Sequence, residues 1–397
     1  MTKSRSHRII SALLLSLITV VILFVVHTII SQPEEIIRAE AWAEQYPDQY
    51  QTYLRNEEMV QTTFGGSVPI DYLEEYPELL TIYDGVGFGI DYQRARGHVY
   101  SLDDVIHIER TKPGASCLAC KTADYVAMEE EHGFDLYAMD FNQMAAQAHS
   151  GVSCYDCHRN QPGVVEITRG HLNNGLDYLD EEHNVNNLVC AQCHIEYFLD
   201  PDTKEVTVPW LYGTEVADIE ATFIEWNFLD WIHPQTDGGL YKIQHPEFET
   251  YRGSVHDGFG ITCVDCHMPQ LTNDAGEQFH SHHWTSPLRY IEDSCLGCHG
   301  ESENELTANV EELQGIVMNK TVEVSRKLVE LIEAIAENKD EIPESTLEQV
   351  QQLHRSAQVR WDFVFVENSQ GFHHYDQAMR NLNEADAMID EALEILQ

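Results

Sequence analysis

The ten cysteines of this chain fall into five C-x-x-C pairs, and this pattern restricts its architecture more than any other feature. The pairs are Cys117 and Cys120, Cys154 and Cys157, Cys190 and Cys193, Cys263 and Cys266, and Cys295 and Cys298. Pairs with this spacing occur in structural zinc sites, in redox dithiols and in covalent haem-attachment motifs. The residue that follows each pair separates these alternatives.

Four of the five pairs are followed directly by a histidine: His158, His194, His267 and His299. In a c-type attachment motif the two thiols form thioethers to the porphyrin, and the adjacent histidine binds the iron. A zinc site needs no histidine at this position and usually joins two pairs around one ion. We therefore interpret the chain as a multihaem c-type cytochrome.

The remaining motif, CLACK, carries Lys121 where the other four carry histidine. A lysine binds iron only as the neutral amine, so the metal and burial must displace a proton with a reference pKa of about 10.4. An accidental lysine, with some other residue as the ligand, is the alternative. The simpler interpretation is that this haem performs chemistry at an open iron position, while the other four relay electrons.

The predicted fold is mainly α-helical, with few short strands and with haems replacing much of the apolar core. Residues 33–300 hold all five motifs and form the predicted pentahaem catalytic domain. In residues 301–397 apolar side chains recur at helical spacing, which predicts long C-terminal helices. A break falls at EIPES, where Ser345 is predicted to cap the next helix. We expect the long helices to pack on the haem domain and to form a dimer interface.

Residues 1–32 are predicted to be a transmembrane signal anchor. Lys3, Arg5 and Arg8 precede an uncharged apolar run from Ile9 to Val26. At about 1.5 Å per residue this run spans about 27 Å, close to the thickness of the hydrocarbon layer. The positive flank stays in the cytoplasm, which places the haem domain on the outer (periplasmic or extracytoplasmic) face of the membrane. A cleaved signal peptide is the alternative, although no A-x-A-like site follows the run.

The chain is strongly acidic, with 23 lysine and arginine residues against 67 aspartate and glutamate residues and a formal net charge of −44. An excess of this size excludes nucleic acid and anionic lipid surfaces as binding partners. An enzyme acting on an anion would need local positive charge at its site. Salt screens the more distant acidic groups within about 10 Å.

A C-x-x-C-K motif followed by four C-x-x-C-H motifs resembles the pentahaem cytochrome c nitrite reductases, which form ammonia. The segments CAQCHIEY, KIQHPEFE and SVHDGFGITCVDCHMP resemble landmarks of that family, and the similarity runs from about Gly87 to Leu382. A generic multihaem electron carrier has no reason to carry these segments in this order. The resemblance implies six-electron reduction of nitrite to ammonium at the Lys121 haem, fed by four bis-histidine haems. A non-catalytic electron-transfer cytochrome, with every iron six-coordinate, is the alternative.

The resemblance also implies roles for single residues. The distal pocket around nitrite corresponds to Arg110, Tyr197 and His245, with Arg96 as the alternative arginine. The second axial ligands of the second, third, fourth and fifth haems correspond to His282, His98, His373 and His256. One calcium ion would bind Glu196, the carbonyl groups of Tyr197 and Lys242, and Gln244. The implied partners are a membrane quinol-oxidising multihaem cytochrome as electron donor and a second copy of the chain.

Overall fold

The computed structural model describes residues 35–179 and 183–397, and these residues are mainly helical. Their α-helices span Pro47–Leu54, Tyr72–Glu75, Leu79–Ile82, Ser101–His107, Asp124–His132, Phe141–Ala145, Tyr155–His158, Gly170–Leu176, Val185–Ala191, Val216–Glu225, Glu247–Tyr251, Val255–Gly258, Cys263–His267, Ile291–Ser294, Glu303–Asn338, Glu344–Phe365 and Tyr375–Ile395. Short 3-10 helices span Ala39–Trp42, Arg55–Glu57, Gly87–Gly89, His98–Tyr100, Ala115–Leu118, Gly133–Ala138 and Pro287–Arg289.

The strands are short and pair only with their neighbours along the chain. Three antiparallel two-stranded ribbons join Phe198–Leu199 to Val206–Thr207, Trp231–Ile232 to Gly239–Leu240, and Gln270–Thr272 to Gln278–His280. The prediction of a mainly α-helical chain with few short strands is therefore confirmed.

Three long helices end the chain: Glu303–Asn338, Glu344–Phe365 and Tyr375–Ile395. The first begins at a capping box in which Ser302 and Glu305 bond each other's backbone N–H groups. Its buried residues include Val317, Val324, Leu328, Leu331 and Ile335. Their spacing of three, four and seven residues gives one apolar face, which is the pattern expected of a helix packed in a bundle.

The predicted cap at Ser345 is wrong. The second long helix begins one residue earlier, at Glu344, directly after Pro343, and no side chain caps its N-terminus. Pro343 has a φ of −57°, and the proline ring fixes this angle close to the helical value. The chain is therefore directed into the helix by the proline, and Ser345 lies within the first turn.

The long helices share one apolar core with residues that precede the first motif in the sequence. Leu79, Ile82 and Tyr83 pack into this core together with Trp361 of the second long helix and Leu382 of the third. The segment that contains these three residues, which precedes the first motif in the sequence, is thus held against the C-terminal helices. A domain boundary at residue 300 and a dimer interface stay predictions.

The predicted anchor, residues 1–32, lies outside the described part of the chain. Within residues 35–179 and 183–397, none of the helices is both long and apolar enough to cross a membrane.

Candidate active site

The C-x-x-C-H motifs are single helical turns. The backbone N–H of His158 donates to the carbonyl of Cys154 at 3.0 Å, and that of His194 donates to Cys190 at 2.9 Å. Residues four apart lie on one face of a helix, so each turn presents a thiol and an imidazole on the same side. None of the ten cysteines is in a disulfide bond. The motifs are therefore preformed for thioether attachment.

The CLACK motif has a different local structure. Lys121 donates its backbone N–H to Leu118 at 2.9 Å, three residues back, and its carbonyl accepts from the Ser101 hydroxyl at 2.8 Å. Gly114 precedes this turn, and a Cβ there would lie 2.2 Å from the carbonyl oxygen of Tyr137. Only glycine allows the backbone segments to approach this closely. The turn is therefore held at its start by the close approach of Gly114 to Tyr137 and at its end by the hydrogen bond from Ser101 to Lys121.

Among the described residues, six pairs of histidine rings have centroids 5.9–6.3 Å apart; two of them are His194–His245 and His233–His354, and the other four join ligands that the resemblance implied. The ring centroids are 5.9–6.3 Å apart in the pairs His98–His194, His158–His282, His256–His299 and His267–His373. Each pair combines a motif histidine with the distal histidine that the resemblance implied for the same motif. Two imidazole nitrogens bound on opposite sides of a metal, each at about 2 Å, place their rings about 6 Å apart. The spacing therefore fits an iron between the rings.

Backbone carbonyls fix the tautomer of several of these histidines. Nδ1 of His158 lies 2.9 Å from the carbonyl oxygen of Val164, and Nδ1 of His267 lies 2.9 Å from that of Thr285. Nδ1 of His282 lies 3.0 Å from the carbonyl of His280. A carbonyl only accepts, so Nδ1 must donate and Nε2 carries the lone pair that binds a metal.

Arg110 is a buried cation with an unused donor. Its Cζ atom lies 3.9 Å from the ring centroid of Phe88 and 6.0 Å from that of Tyr92. Among the described residues, Nη1 has no hydrogen-bond partner. Burial lowers the pKa of Arg110, although a guanidinium stays charged at neutral pH. A guanidinium held over two aromatic rings with a free N–H group is suited to binding an anion.

Tyr197 lies beside this guanidinium and beside the CLACK thiols. Burial raises the pKa of Tyr197, and the neighbouring Cys120 and Cys117 raise it further while Arg110 opposes them. The phenol is therefore protonated at neutral pH and can donate a hydrogen bond into the same space.

His245 lies close to both Lys121 and the third motif. Its ring centroid is 6.2 Å from that of His194, and its Nδ1 has no hydrogen-bond partner within the described residues. Burial is the main cause that lowers the pKa of His245 to about 3. The charge of Glu247 opposes this shift, and the charge of Lys121 contributes to it. The ring is therefore neutral at neutral pH and offers an N–H group without a positive charge.

Arg96 is already bound elsewhere. Its Nε donates to Asp104 at 2.7 Å, its Nη2 also contacts Asp103, and its Cζ lies 4.3 Å from the ring centroid of Tyr100. Two carboxylates neutralise this guanidinium. The geometry thus favours Arg110 over Arg96 as the arginine of an anion pocket.

The predicted calcium ligands lie together on two adjoining segments. Gln244 donates its backbone N–H to Oε2 of Glu196 at 2.6 Å, and its side-chain amide lies 3.1 Å from the carbonyl oxygen of Lys242. Glu196 is fully buried, and within the described residues its Oε1 has no partner. Burial raises the pKa of Glu196 well above its usual range, and Glu249 adds to the effect. A buried carboxylate with an open oxygen beside carbonyl groups fits a hard cation.

Side chains alone would not hold that cation. Within residues 35–179 and 183–397, no group of three or more histidine, cysteine, aspartate or glutamate side chains forms a metal site. A set built mainly from backbone and amide oxygens is consistent with this observation, since calcium accepts such ligands.

A buried ion pair fixes the calcium segment to the second long helix. Nζ of Lys242 lies 3.0 Å from both carboxylate oxygens of Asp362, which also accepts from Tyr83 at 2.5 Å and from the Ile243 N–H at 3.0 Å. The two charged side chains are 1% and 0% exposed. Burial lowers the pKa of Lys242 and raises that of Asp362. The pair is thus costly to desolvate and depends on the hydrogen bonds that Tyr83 and the Ile243 N–H donate to Asp362.

The cysteines show which motifs are neighbours in space. The Cys120 thiol contacts the Cys193 thiol, and the Cys190 thiol contacts the Cys263 thiol. Cys266 lies within electrostatic range of both cysteines of the fifth motif. The first, third, fourth and fifth motifs therefore follow one another, and the second motif lies beside the third.

Sequence reasoning missed Glu247. This buried carboxylate lies 3.5 Å from Nδ1 of His194 and 4.0 Å from Nδ1 of His245, between a motif histidine and the distal pocket. It stands two residues after His245 in KIQHPEFE. Its position inside this family-specific segment was the signal that could have identified Glu247 as a site residue.

The chain is similar to several known proteins. A family model for cytochrome c552 matches residues 38–397. Cytochrome c-552 of Bacteroides fragilis is 32% identical over 379 residues, which cover 90% of this chain and 75% of that protein. Cytochrome c-552 of Porphyromonas gingivalis is 32% identical over 369 residues, covering 87% and 73%.

Among solved structures, the cytochrome c nitrite reductase of Desulfovibrio desulfuricans, whose catalytic subunit has two calcium sites, has a TM-score of 0.84 to this chain. The two are 26% identical, and the match covers 90% of this chain and 86% of the other. The family resemblance predicted from the haem motifs is thus confirmed. From its motifs, its paired histidines and these matches, the chain belongs to the cytochrome c552 family.

Proposed function

We propose that this protein reduces nitrite to ammonium in a six-electron reaction at a haem attached to the CLACK motif. The observation that carries the proposal is the pocket of Arg110, Tyr197 and His245, all half-buried, beside Lys121, the one motif residue that departs from histidine. The similarity to a cytochrome c nitrite reductase supports the same reaction.

The proposed cofactors are five covalently bound c-type haems and one calcium ion. Lys121 would hold the iron of the catalytic haem, and the four histidine pairs would hold the other haems. When bound, the catalytic haem would provide the iron position for the substrate and the electrons for its reduction. The chain itself supplies binding, orientation and protons.

Arg110 binds the substrate anion in this proposal. Its unused Nη1 donor and its charge offset the cost of bringing an anion into a chain with a net charge of −44. The aromatic rings of Phe88 and Tyr92 hold the guanidinium in one orientation, which fixes where the anion lies.

Tyr197 and His245 offer hydrogen-bond donors to the leaving oxygen atoms. Both side chains are neutral donors before substrate enters, because burial raises the pKa of Tyr197 and lowers that of His245. Negative charge that develops on the substrate oxygens strengthens these hydrogen bonds. The two residues therefore act more strongly on the transition state than on bound nitrite.

The succession of motifs gives a route for electrons to this pocket. The thiol contacts Cys120–Cys193 and Cys190–Cys263 bring the first motif next to the third and the third next to the fourth. The membrane quinol-oxidising cytochrome is the proposed donor. The proposed location is the outer face of the cytoplasmic membrane, with an N-terminal anchor and a homodimer formed through the long helices.

The intact mass of the purified protein should exceed that of its polypeptide by five haem groups. None of the ten cysteines is in a disulfide bond, and all belong to C-x-x-C motifs, so each motif should be occupied. Mass spectrometry under denaturing conditions measures the number directly, because thioethers survive unfolding. A mass with four haems would leave CLACK without a cofactor and would contradict the proposed catalytic centre.

Replacing Glu196 by glutamine should remove the bound calcium. Glu196 is the one carboxylate of the proposed ligand set, and a neutral amide cannot offset the charge of the cation. Elemental analysis of the holoprotein should show one calcium ion fewer per chain, and nitrite turnover should fall. Glu215→Gln, on an exposed side chain paired with Arg380, is the control and should keep the calcium. Unchanged calcium in Glu196→Gln would place the ion elsewhere.

A spectroscopic experiment separates the enzyme from a pure electron carrier. The proposed catalytic haem has an open position, so the oxidised protein should show a high-spin signal that changes when nitrite is added. Electron paramagnetic resonance on the five-haem protein measures this signal. A protein in which every haem is low-spin would be an electron carrier instead.

A further inference from the structure

The paired histidines differ in the group that faces their outer ring nitrogen. Backbone carbonyls accept from Nδ1 of His158 and of His267. Nδ1 of His373 instead lies 2.7 Å from Oε1 of Glu367, a carboxylate in the loop before it. A full negative charge therefore lies directly behind the His373 ring, closer than that of Glu247, whose Oε2 lies 3.5 Å from Nδ1 of His194.

Glu367 is buried and firmly held in this position. It is 2% exposed, and Ser369 donates its hydroxyl to Oε2 at 2.6 Å and its backbone N–H to Oε1 at 3.2 Å. The same hydroxyl accepts from the backbone N–H of His373 at 2.9 Å. The loop turns at Gly371, whose φ of +85° suits glycine and whose Cβ would lie 2.7 Å from Val317. The loop thus carries carboxylate and histidine as one unit.

The residues on the far side of Glu367 do not neutralise its negative charge. On its other side it borders a gap too small for a water molecule, together with Thr250, Gln377 and Asn381, which carry no charge. Water is largely kept out, because Thr250, Gln377 and Asn381 are each at most 3% exposed. An electrostatic interaction in such a place is much stronger than one at the surface.

Glu301 also lies near a paired histidine, but neither side chain is buried. Oε2 of Glu301 lies 3.8 Å from Nδ1 of His299, but their side chains are 47% and 45% exposed. Solvent and salt screen a charge of this kind. The chain therefore contains a buried and an exposed version of the same arrangement.

We propose that Glu367 is a positioning residue that lowers the reduction potential of the haem held by His267 and His373. The inference rests on the proposed ligation of that haem. A carboxylate that accepts from the outer nitrogen of a ligand histidine raises the basicity of the ligand. The nearby negative charge also favours the ferric over the ferrous state, because reduction adds an electron.

Glu367→Gln tests the charge at nearly constant shape. In a spectropotentiometric titration of the five-haem protein, one midpoint should move to higher potential while the other four stay near their wild-type values. Glu367→Asp keeps the charge and should stay closer to wild type than Glu367→Gln. Glu301→Gln is the matched control and should move no midpoint appreciably.

Two results would overturn the inference: no midpoint shift in Glu367→Gln with all haems attached, or an equal shift in Glu367→Asp. The wild-type protein gives a second test that needs no variant at this site. The midpoint of the His267–His373 haem should lie below that of the His158–His282 haem, and the reverse order would contradict the proposal. His373→Ala reports on the ligation separately, because an unchanged low-spin spectrum would refute the ligand assignment and not the role of the charge.

Discussion

Replacing His245 by asparagine is expected to lower the kcat for nitrite reduction by about 10²-fold or more, the scale of losing a positioned acid. The side chain of His245 lies beside Lys121 and is 39% exposed, and its buried Nδ1 has no partner among the described residues. Its donor is therefore available to a substrate oxygen, and no other group in the pocket replaces it. Tyr197→Phe removes the second donor and should cause a loss of similar size.

The loss should appear in kcat more than in KM. Interactions that strengthen as the N–O bond breaks act on the transition state, whereas uniform binding changes KM. Steady-state kinetics on variants with five haems attached measure both quantities. His107→Asn is the control, because that side chain is 74% exposed and belongs to none of the histidine pairs, and it should leave turnover within a few-fold. Near-normal turnover in His245→Asn would show that the pocket lies elsewhere.

Replacing Asp362 by alanine is expected to reduce the free energy of unfolding by about 3–5 kcal/mol, the usual cost of breaking a buried ion pair. The change leaves the Lys242 ammonium, the Tyr83 hydroxyl and the Ile243 N–H without their acceptor in a dry interior. Each orphaned group pays its own desolvation penalty. Guanidinium unfolding of the holoprotein, followed by far-UV circular dichroism, measures the difference.

Asp390→Ala is the matched control for this effect. Asp390 also contacts a lysine, Lys327, at 2.5 Å, but its side chain is 60% exposed. Exposed pairs contribute at most about 1 kcal/mol, so this variant should unfold near wild type. Equal losses in Asp390→Ala and Asp362→Ala would mean that burial does not determine the strength of the Lys242 pair.

The sequence was most informative where a local pattern determines the structure. The C-x-x-C-H turns and the apolar periodicity of the long helices depend on contacts three or four residues apart, which a single sequence displays. The failed cap at Ser345 is a local error of the same kind, because the fixed φ of Pro343 outweighed the serine signal. The capping box at Ser302 and Glu305 was visible in the sequence and was overlooked.

Local sequence patterns could not predict which histidines lie opposite each other. Nothing in the spacing of His98, His256, His282 or His373 indicates which motif each faces, since these contacts depend on tertiary folding. The family resemblance supplied those pairs, and the structure brings the corresponding rings to 5.9–6.3 Å. Buried carboxylates such as Glu367 and Asp362 were also missed, because a chain with 67 acidic residues gives no sign of which few are buried.

The central claim is that a chain with one lysine-bearing motif reduces nitrite fully to ammonium. The direct measurement supplies the purified five-haem protein with nitrite and a reduced viologen dye, and quantifies the dye oxidised and the ammonium formed. The account predicts one ammonium ion and six electrons for each nitrite consumed. A five-haem protein that accepts electrons from the dye but leaves nitrite unchanged would contradict it.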